Sequence, residues 1–108
     1  MEFLVEFEVN VPAGAPVSEV EALTSAEASA AARLVEQGHL VRLWKPPAEP
    51  AETGALGLYR ADSQAQLADL LRALPLYDWM NITVTPLEAH PNDPGPPATA
   101  TQPVGSQQ

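Results

Sequence analysis

Residues 2–11 alternate between apolar and polar. Phe3, Val5, Phe7, Val9 and Val11 fall on one side; Glu2, Glu6, Glu8 and Asn10 fall on the other, with Leu4 among them. A period of two in β-branched and aromatic residues predicts a strand with one well-covered face. Pro12-Ala13-Gly14-Ala15-Pro16 breaks it. From 17 to 37 the chain is rich in alanine and glutamate, which predicts a long helix stopping at Gly38. His39 to Lys45 reads as a second strand ended by Pro46-Pro47, residues 48–54 as a loop, and Ala55 to Arg60 as a third strand. Ser63 is placed to cap a second helix, and Gln66 three residues on completes a capping box. Leu67, Leu70, Leu71 and Leu74 form that helix's apolar stripe, and Pro75 ends it. Asn81 to Leu87 predicts a fourth strand with Ile82 and Val84 on one face.

The element order βαββαβ predicts an α+β, ferredoxin-like fold: a four-stranded antiparallel sheet with two helices on one face. On the first strand the covered side is the Phe3/Val5/Phe7/Val9 side. The opposite face is expected to carry Leu4 and one set from the second strand, either Leu40/Arg42/Trp44 or Val41/Leu43/Lys45. Either set leaves large apolar groups in water on a lone protomer, and such a sheet face usually packs against a partner. A homo-oligomer is therefore expected, most simply a face-to-face dimer; the alternative is a partly exposed sheet. Residues 91–108 contain five prolines in eighteen positions and one large aliphatic. Such a segment buries too little surface to offset its ordering entropy and reads as a tail, disordered or draped over a neighbour. The folded domain is expected over 1–90.

Charge narrows the function. Five Lys+Arg against fourteen Asp+Glu give a net charge of −9 over 108 residues. That balance argues against nucleic acid, whose phosphates need a basic patch, and against anionic membrane surfaces. There is no cysteine, so disulfides, thiolate chemistry and zinc–thiolate sites are excluded. The opening residues lack the basic and apolar regions of a signal peptide, and no apolar run is long enough to span a membrane. A cytoplasmic protein is expected.

One carboxylate stands out. At 100° per residue with Glu27 at zero, Val20 and Leu34 lie about 20° away and Leu23 and Ala31 about 40° away. Glu27 thus sits at the centre of the first helix's apolar stripe, whereas Glu21 and Glu36 lie on the outer face. A carboxylate aimed at a core is costly unless paired or protonated. Desolvation raises its pKa and makes it a better base near neutrality. Glu27 is therefore a candidate general base in a pocket between helix and sheet; the competing reading is a rim residue that snorkels or pairs with an arginine.

Arg42, Lys45 and Arg60 are expected on the two central strands, leaving only Arg33 and Arg72 elsewhere. Such a local cationic spot can hold a small anion such as a carboxylate, or it can balance the neighbouring Glu6 and Glu8 across the sheet. The first role suits Lys45, which ends its strand beside the loop; the second suits Arg60. Trp44, Tyr59, Tyr77 and Trp79 could wall a site for a flat unsaturated ring, and core or interface packing explains each equally well. His39 and His90 are far apart, and no spacing matches a metal site, a glycine-rich phosphate loop or a nucleophile elbow. No metal and no cofactor are expected.

Several segments carry a family resemblance. Gly38-His39-Leu40-Val41-Arg42-Leu43-Trp44-Lys45 resembles the strand of the muconolactone Δ-isomerase family that ends in Leu-Trp-Arg. Leu74-Pro75-Leu76-Tyr77-Asp78-Trp79-Met80-Asn81-Ile82-Thr83-Val84 resembles its Leu-Pro-Leu-x-x-Tyr-Met-x-Ile-x-Val segment, and Leu87-Glu88-Ala89-His90-Pro91 its closing Leu-x-x-His-Pro. Phe3 to Pro12 also fits, so the likeness covers nearly all of 1–91. It implies a ferredoxin-like protomer that pairs through its sheets as a dimeric α+β barrel and commonly assembles into a decamer. It also implies cofactor-free isomerisation of muconolactone, an anionic lactone, to 3-oxoadipate enol-lactone in aromatic catabolism. The family's helix glutamate falls on Glu27 and its tryptophan on Trp44; the arginine that follows is Lys45 here. The family's Gly-x-Tyr-x-Asn loop is replaced by Pro46-Pro47-Ala48-Glu49-Pro50-Ala51-Glu52-Thr53-Gly54, without the tyrosine or the asparagine.

The leading expectation is a cofactor-independent isomerase acting on a small unsaturated lactone. Glu27 would be the base, Lys45 and Arg42 the anion partners, and Trp44, Tyr59 and Trp79 the pocket aromatics. The alternatives are a non-catalytic ligand-binding or assembly relative, favoured by the altered loop, and a cofactor-free monooxygenase of the dimeric α+β barrel type.

Overall fold

A computed structural model of the chain describes residues 1–45 and 54–95. The first strand, β1, runs Glu2–Val9. Its alternation becomes alternating burial: Phe3, Val5 and Phe7 are buried and Val9 is half-buried. Val11, grouped with them in the sequence pattern, lies past the end of the strand and is exposed. Helix α1 follows as Val17–Glu36. It closes at Gly38, whose φ of +82° is the left-handed conformation that glycine adopts freely. There the Gly38 N–H donates to the Val35 carbonyl and the His39 N–H to the Leu34 carbonyl. That pair of reversed bonds satisfies the last carbonyls of the helix and turns the chain into β2.

Strand β2 is Leu40–Trp44 and β3 is Ala55–Arg60. Helix α2 is Gln64–Arg72. The Ser63 hydroxyl accepts from the Gln66 N–H at 3.0 Å, as the capping pattern predicts. The return bond differs by one residue: Gln66 Oε1 accepts from the N–H of Asp62. Pro75 follows the helix, a short 3₁₀ turn spans Tyr77–Trp79, and β4 runs Met80–Leu87.

The four strands form one antiparallel sheet in the order β2-β3-β1-β4. β1 and β3 are the central strands. β2 is an edge, so Arg42, on β2, and Lys45, just past its end, do not stand on a central strand, and only Arg60 does. The core lies between the sheet and the helices. It joins Phe3, Val5, Phe7, Leu40 and Tyr59 to Ala30 and Leu34 of α1 and to Leu67 and Leu71 of α2. The covered face is the one that the alternation of β1 predicts.

The second strand follows neither of its two expected sets. Leu40 pairs with Tyr59 and Leu43 with Gly57, on the helix side; Arg42 pairs with Leu58 and Trp44 with Leu56, on the outer side. A register shift between Leu40 and Arg42 causes this. An extra residue in one strand reverses the sides of everything beyond it. The outer face therefore carries Leu4, Leu56 and Leu58, all half-buried, with Trp44 and Leu87 exposed. Of the loop expected over 48–54, only Gly54 is described, and the Pro46–Thr53 departure from the family pattern lies outside the described residues. Of the expected tail, residues 91–95 are described and the remainder lies outside.

Candidate active site

Small side chains open a cleft between α1 and the sheet. Thr24, Ala28 and Ala31 face it from the helix, and Ala55 from β3. None of them is long enough to fill the gap between the layers, whereas Leu67 and Leu71 of α2 are buried in the core. The resulting cavity of ≈ 280 Å³ is completed by Phe7, Val9, Leu40, Leu43, Tyr59, Leu76 and Met80, with Glu27 as its one acidic side chain among the described residues. A space of that size, mostly apolar with a few polar groups, suits a small organic ligand.

Glu27 is half-buried, as its place in the apolar stripe of α1 predicts. No arginine pairs with it among the described residues. Instead Glu27 Oε1 accepts the backbone N–H of Leu76 at 3.0 Å. That N–H is free to donate because Pro75 has ended α2 and the chain is turning toward β4. Burial pushes the Glu27 carboxyl above the ordinary carboxylate range, and the Leu76 bond pulls partly the other way. Tyr59 faces the same cleft. Its phenol is pushed up to about 12, first by burial and then by the negative charge of Glu27.

A stability consequence follows. The raised carboxyl binds its proton more tightly in the fold than in the unfolded chain. Its favourable contribution is complete below the unfolded value, is lost as pH rises through the folded value, and stays lost above it. Glu27→Gln has no such loss, so its Tm should gain on the wild type between pH 4 and pH 7. Thermal unfolding at those two pH values checks this, and a gap that does not widen toward neutrality contradicts it.

The other expected site residues stand elsewhere. Arg42 and Trp44 are on the outer face of the sheet, with the guanidinium 5.1 Å from the Trp44 ring centroid in a cation–π contact. Lys45 is exposed at the end of β2, two residues past Leu43, which lines the cleft. Trp79 is half-buried in the 3₁₀ turn, where its carbonyl accepts the Asn10 N–H at 2.7 Å. None of these four lines the cleft among the described residues. Arg60 pairs across the sheet with Glu2 at 2.9 Å, rather than with the expected Glu6 or Glu8. The contribution of the Leu76 N–H was not legible in the sequence; the nearest signal was Pro75, which marks where a helix must release its backbone. Among the described residues, no group of three or more His, Asp or Glu could hold a metal ion, and no helix is long and apolar enough to cross a membrane.

Fold and cleft together define a ferredoxin-like α+β protein with a carboxylate set in an apolar small-molecule cavity. Residues 1–93 match the family model described as muconolactone delta-isomerase, and the chain belongs to that family. Muconolactone Delta-isomerase 1 of Acinetobacter lwoffii is 32% identical over 92 residues, covering 85% of this chain and 93% of that protein. Muconolactone Delta-isomerase of Cupriavidus pinatubonensis is also 32% identical over 92 residues, covering 85% and 97%. The crystal structure of a muconolactone isomerase superposes with a TM-score of 0.79 at 28% identity, covering 90% of this chain and 98% of that one. A 5-chloro-2-hydroxyhydroquinone dehydrochlorinase from Burkholderia phenoliruptrix shares the fold, with a TM-score of 0.58 at 12% identity over 83% of this chain and 96% of that one. Family membership supports an isomerase role.

Proposed function

We propose that this chain is a cofactor-independent isomerase that moves a proton within a small unsaturated lactone, with Glu27 as the base. The observation that carries this reading is the Glu27 carboxylate, half-buried in an apolar cleft with a single backbone donor. The proposed substrate is muconolactone, converted to 3-oxoadipate enol-lactone, or a related lactone.

The chemistry asks little else of the protein. The γ-proton of a butenolide is acidic because its loss leaves an aromatic, 2-oxyfuran-like dienolate. The carboxylate takes that proton, the electron pair of the C–H bond moves into the ring and onto the carbonyl oxygen, and the new carboxylic acid returns the proton to another carbon on the same face. The apolar walls keep water from competing and keep the carboxylate basic. Lys45, with its position beyond Leu43, is the proposed partner for a substrate carboxylate, and Tyr59 the proposed aromatic wall. Arg42 and Trp44 are assigned instead to the outer sheet face. With Leu4, Leu56 and Leu58, that face is proposed to pair with a second copy of the chain.

The test is turnover in D₂O followed by NMR, using muconolactone and, separately, the neutral 5-methyl butenolides. Double-bond migration, with the migrating proton largely retained and little deuterium uptake at the ring carbon, is expected for at least one of them. No migration and no exchange with either lactone removes the isomerase reading.

A further inference from the structure

We propose that the Tyr59 hydroxyl is the donor that holds the lactone carbonyl oxygen and stabilises the oxyanion formed there, with Gly57 as the residue that aims it. The proposal rests on the isomerase reading for its chemistry and on independent geometry for its site.

Three observations converge on Tyr59. The residue is 3% exposed, yet among the described residues no hydrogen bond to its hydroxyl occurs. Buried hydroxyls nearly always have a partner, and one without is expected to serve a ligand or a bound water. Second, the ring lies back along its own strand. A methyl group added to Gly57 would fall 2.6 Å from Tyr59 Cε1 and 3.2 Å from Cδ1, so that edge of the ring occupies the space beside the glycine. Ala55 stands two residues before Gly57 on the same side of β3, and Ala55, Leu43 and Phe7 line the cleft together with Tyr59. Phe7 fixes it from the side, with ring centroids 6.0 Å apart at 57°. Third, the field of the Glu27 carboxylate reaches the phenol, so base and donor face one space.

These parts divide the reaction between two residues. Glu27 handles the carbon-bound proton. Tyr59 keeps its own proton and shares it with the oxygen on which the electron pair arrives. A neutral phenol suits that role, because it donates without carrying a charge that would bind the ground state equally well. Any side chain at position 57 would displace the ring, which explains a glycine inside a central strand, where glycine otherwise weakens pairing.

Two measurements test this. The first is binding of 4-nitrophenolate, a planar oxyanion, to the Glu27→Gln chain, in which a neutral side chain stands in for the protonated base. Adding Tyr59→Phe, which keeps the ring and removes only the hydroxyl, should weaken binding by about tenfold or more, with Gly57→Ala acting in the same direction. Equal affinity with and without the hydroxyl, or no binding to the Glu27→Gln chain, overturns the proposal. The second is turnover. Tyr59→Phe alone should lower kcat by about 10- to 100-fold with little change in KM, and full activity in this variant overturns the proposal while leaving the Glu27 mechanism standing. Hydroxyl-dependent phenolate binding by a chain that turns over no lactone would support the Tyr59 site and remove the isomerase reading alone.

Discussion

Glu27→Gln should lower lactone turnover by about 10²–10⁴-fold, the usual contribution of a positioned general base. Glutamine keeps the length of the side chain and an oxygen that can still accept the Leu76 N–H, so the helix, the turn after α2 and the cleft should all persist. What disappears is the ability to take a proton. The loss should therefore appear in kcat, with KM nearly unchanged. The pH profile gives a second reading of the same group. Wild-type kcat/KM should fall toward acid as the carboxylate is protonated, with a midpoint above the ordinary carboxylate range because burial raises it. The residual activity of the glutamine variant should lack that acid limb. Turnover equal to that of the wild type would show that Glu27 is a half-buried structural acid and nothing more.

Phe3→Ala should be the most damaging single change to the fold, at about 3–5 kcal/mol. Phe3 is 0% exposed. It sits on β1, between Tyr59 on β3 and Pro86 on β4 in the register, so removing the ring hollows the middle of the sheet. The whole stability of a chain this size is about 5–15 kcal/mol, so the loss is a large fraction of what holds the fold. Urea denaturation should show a lower midpoint with an unchanged slope. Phe3 does not line the cleft, so turnover per folded molecule should survive. A loss of less than about 1 kcal/mol would mean that the ring is not the keystone its burial implies.

Both predictions draw on features that the amino-acid sequence itself displays. The alternation of β1 located Phe3 because side-chain direction in a strand is set by the residue before and the residue after. The 100° wheel located Glu27 for the same reason in a helix. The family likeness led to the same glutamate by a separate route. Position 42 shows where this kind of reading fails. Arg42 looked like a site residue as part of a local cationic spot and Trp44 as a large aromatic that the family likeness also marks, but a register shift against β3 turns them to the outer face. Nothing within β2 itself announces that shift.

The chain alone determined the element order, the buried side of the central strand and the acid inside the apolar stripe, since each depends on periodicity over a few neighbouring residues. Only the folded molecule decided that Leu76 reaches Glu27 across 49 positions, that Tyr59 lies against Gly57 and lines the cleft, and which way β2 presents its side chains. Those outcomes depend on hydrogen-bond register and layer packing between segments distant in sequence, and local pattern carries no record of either.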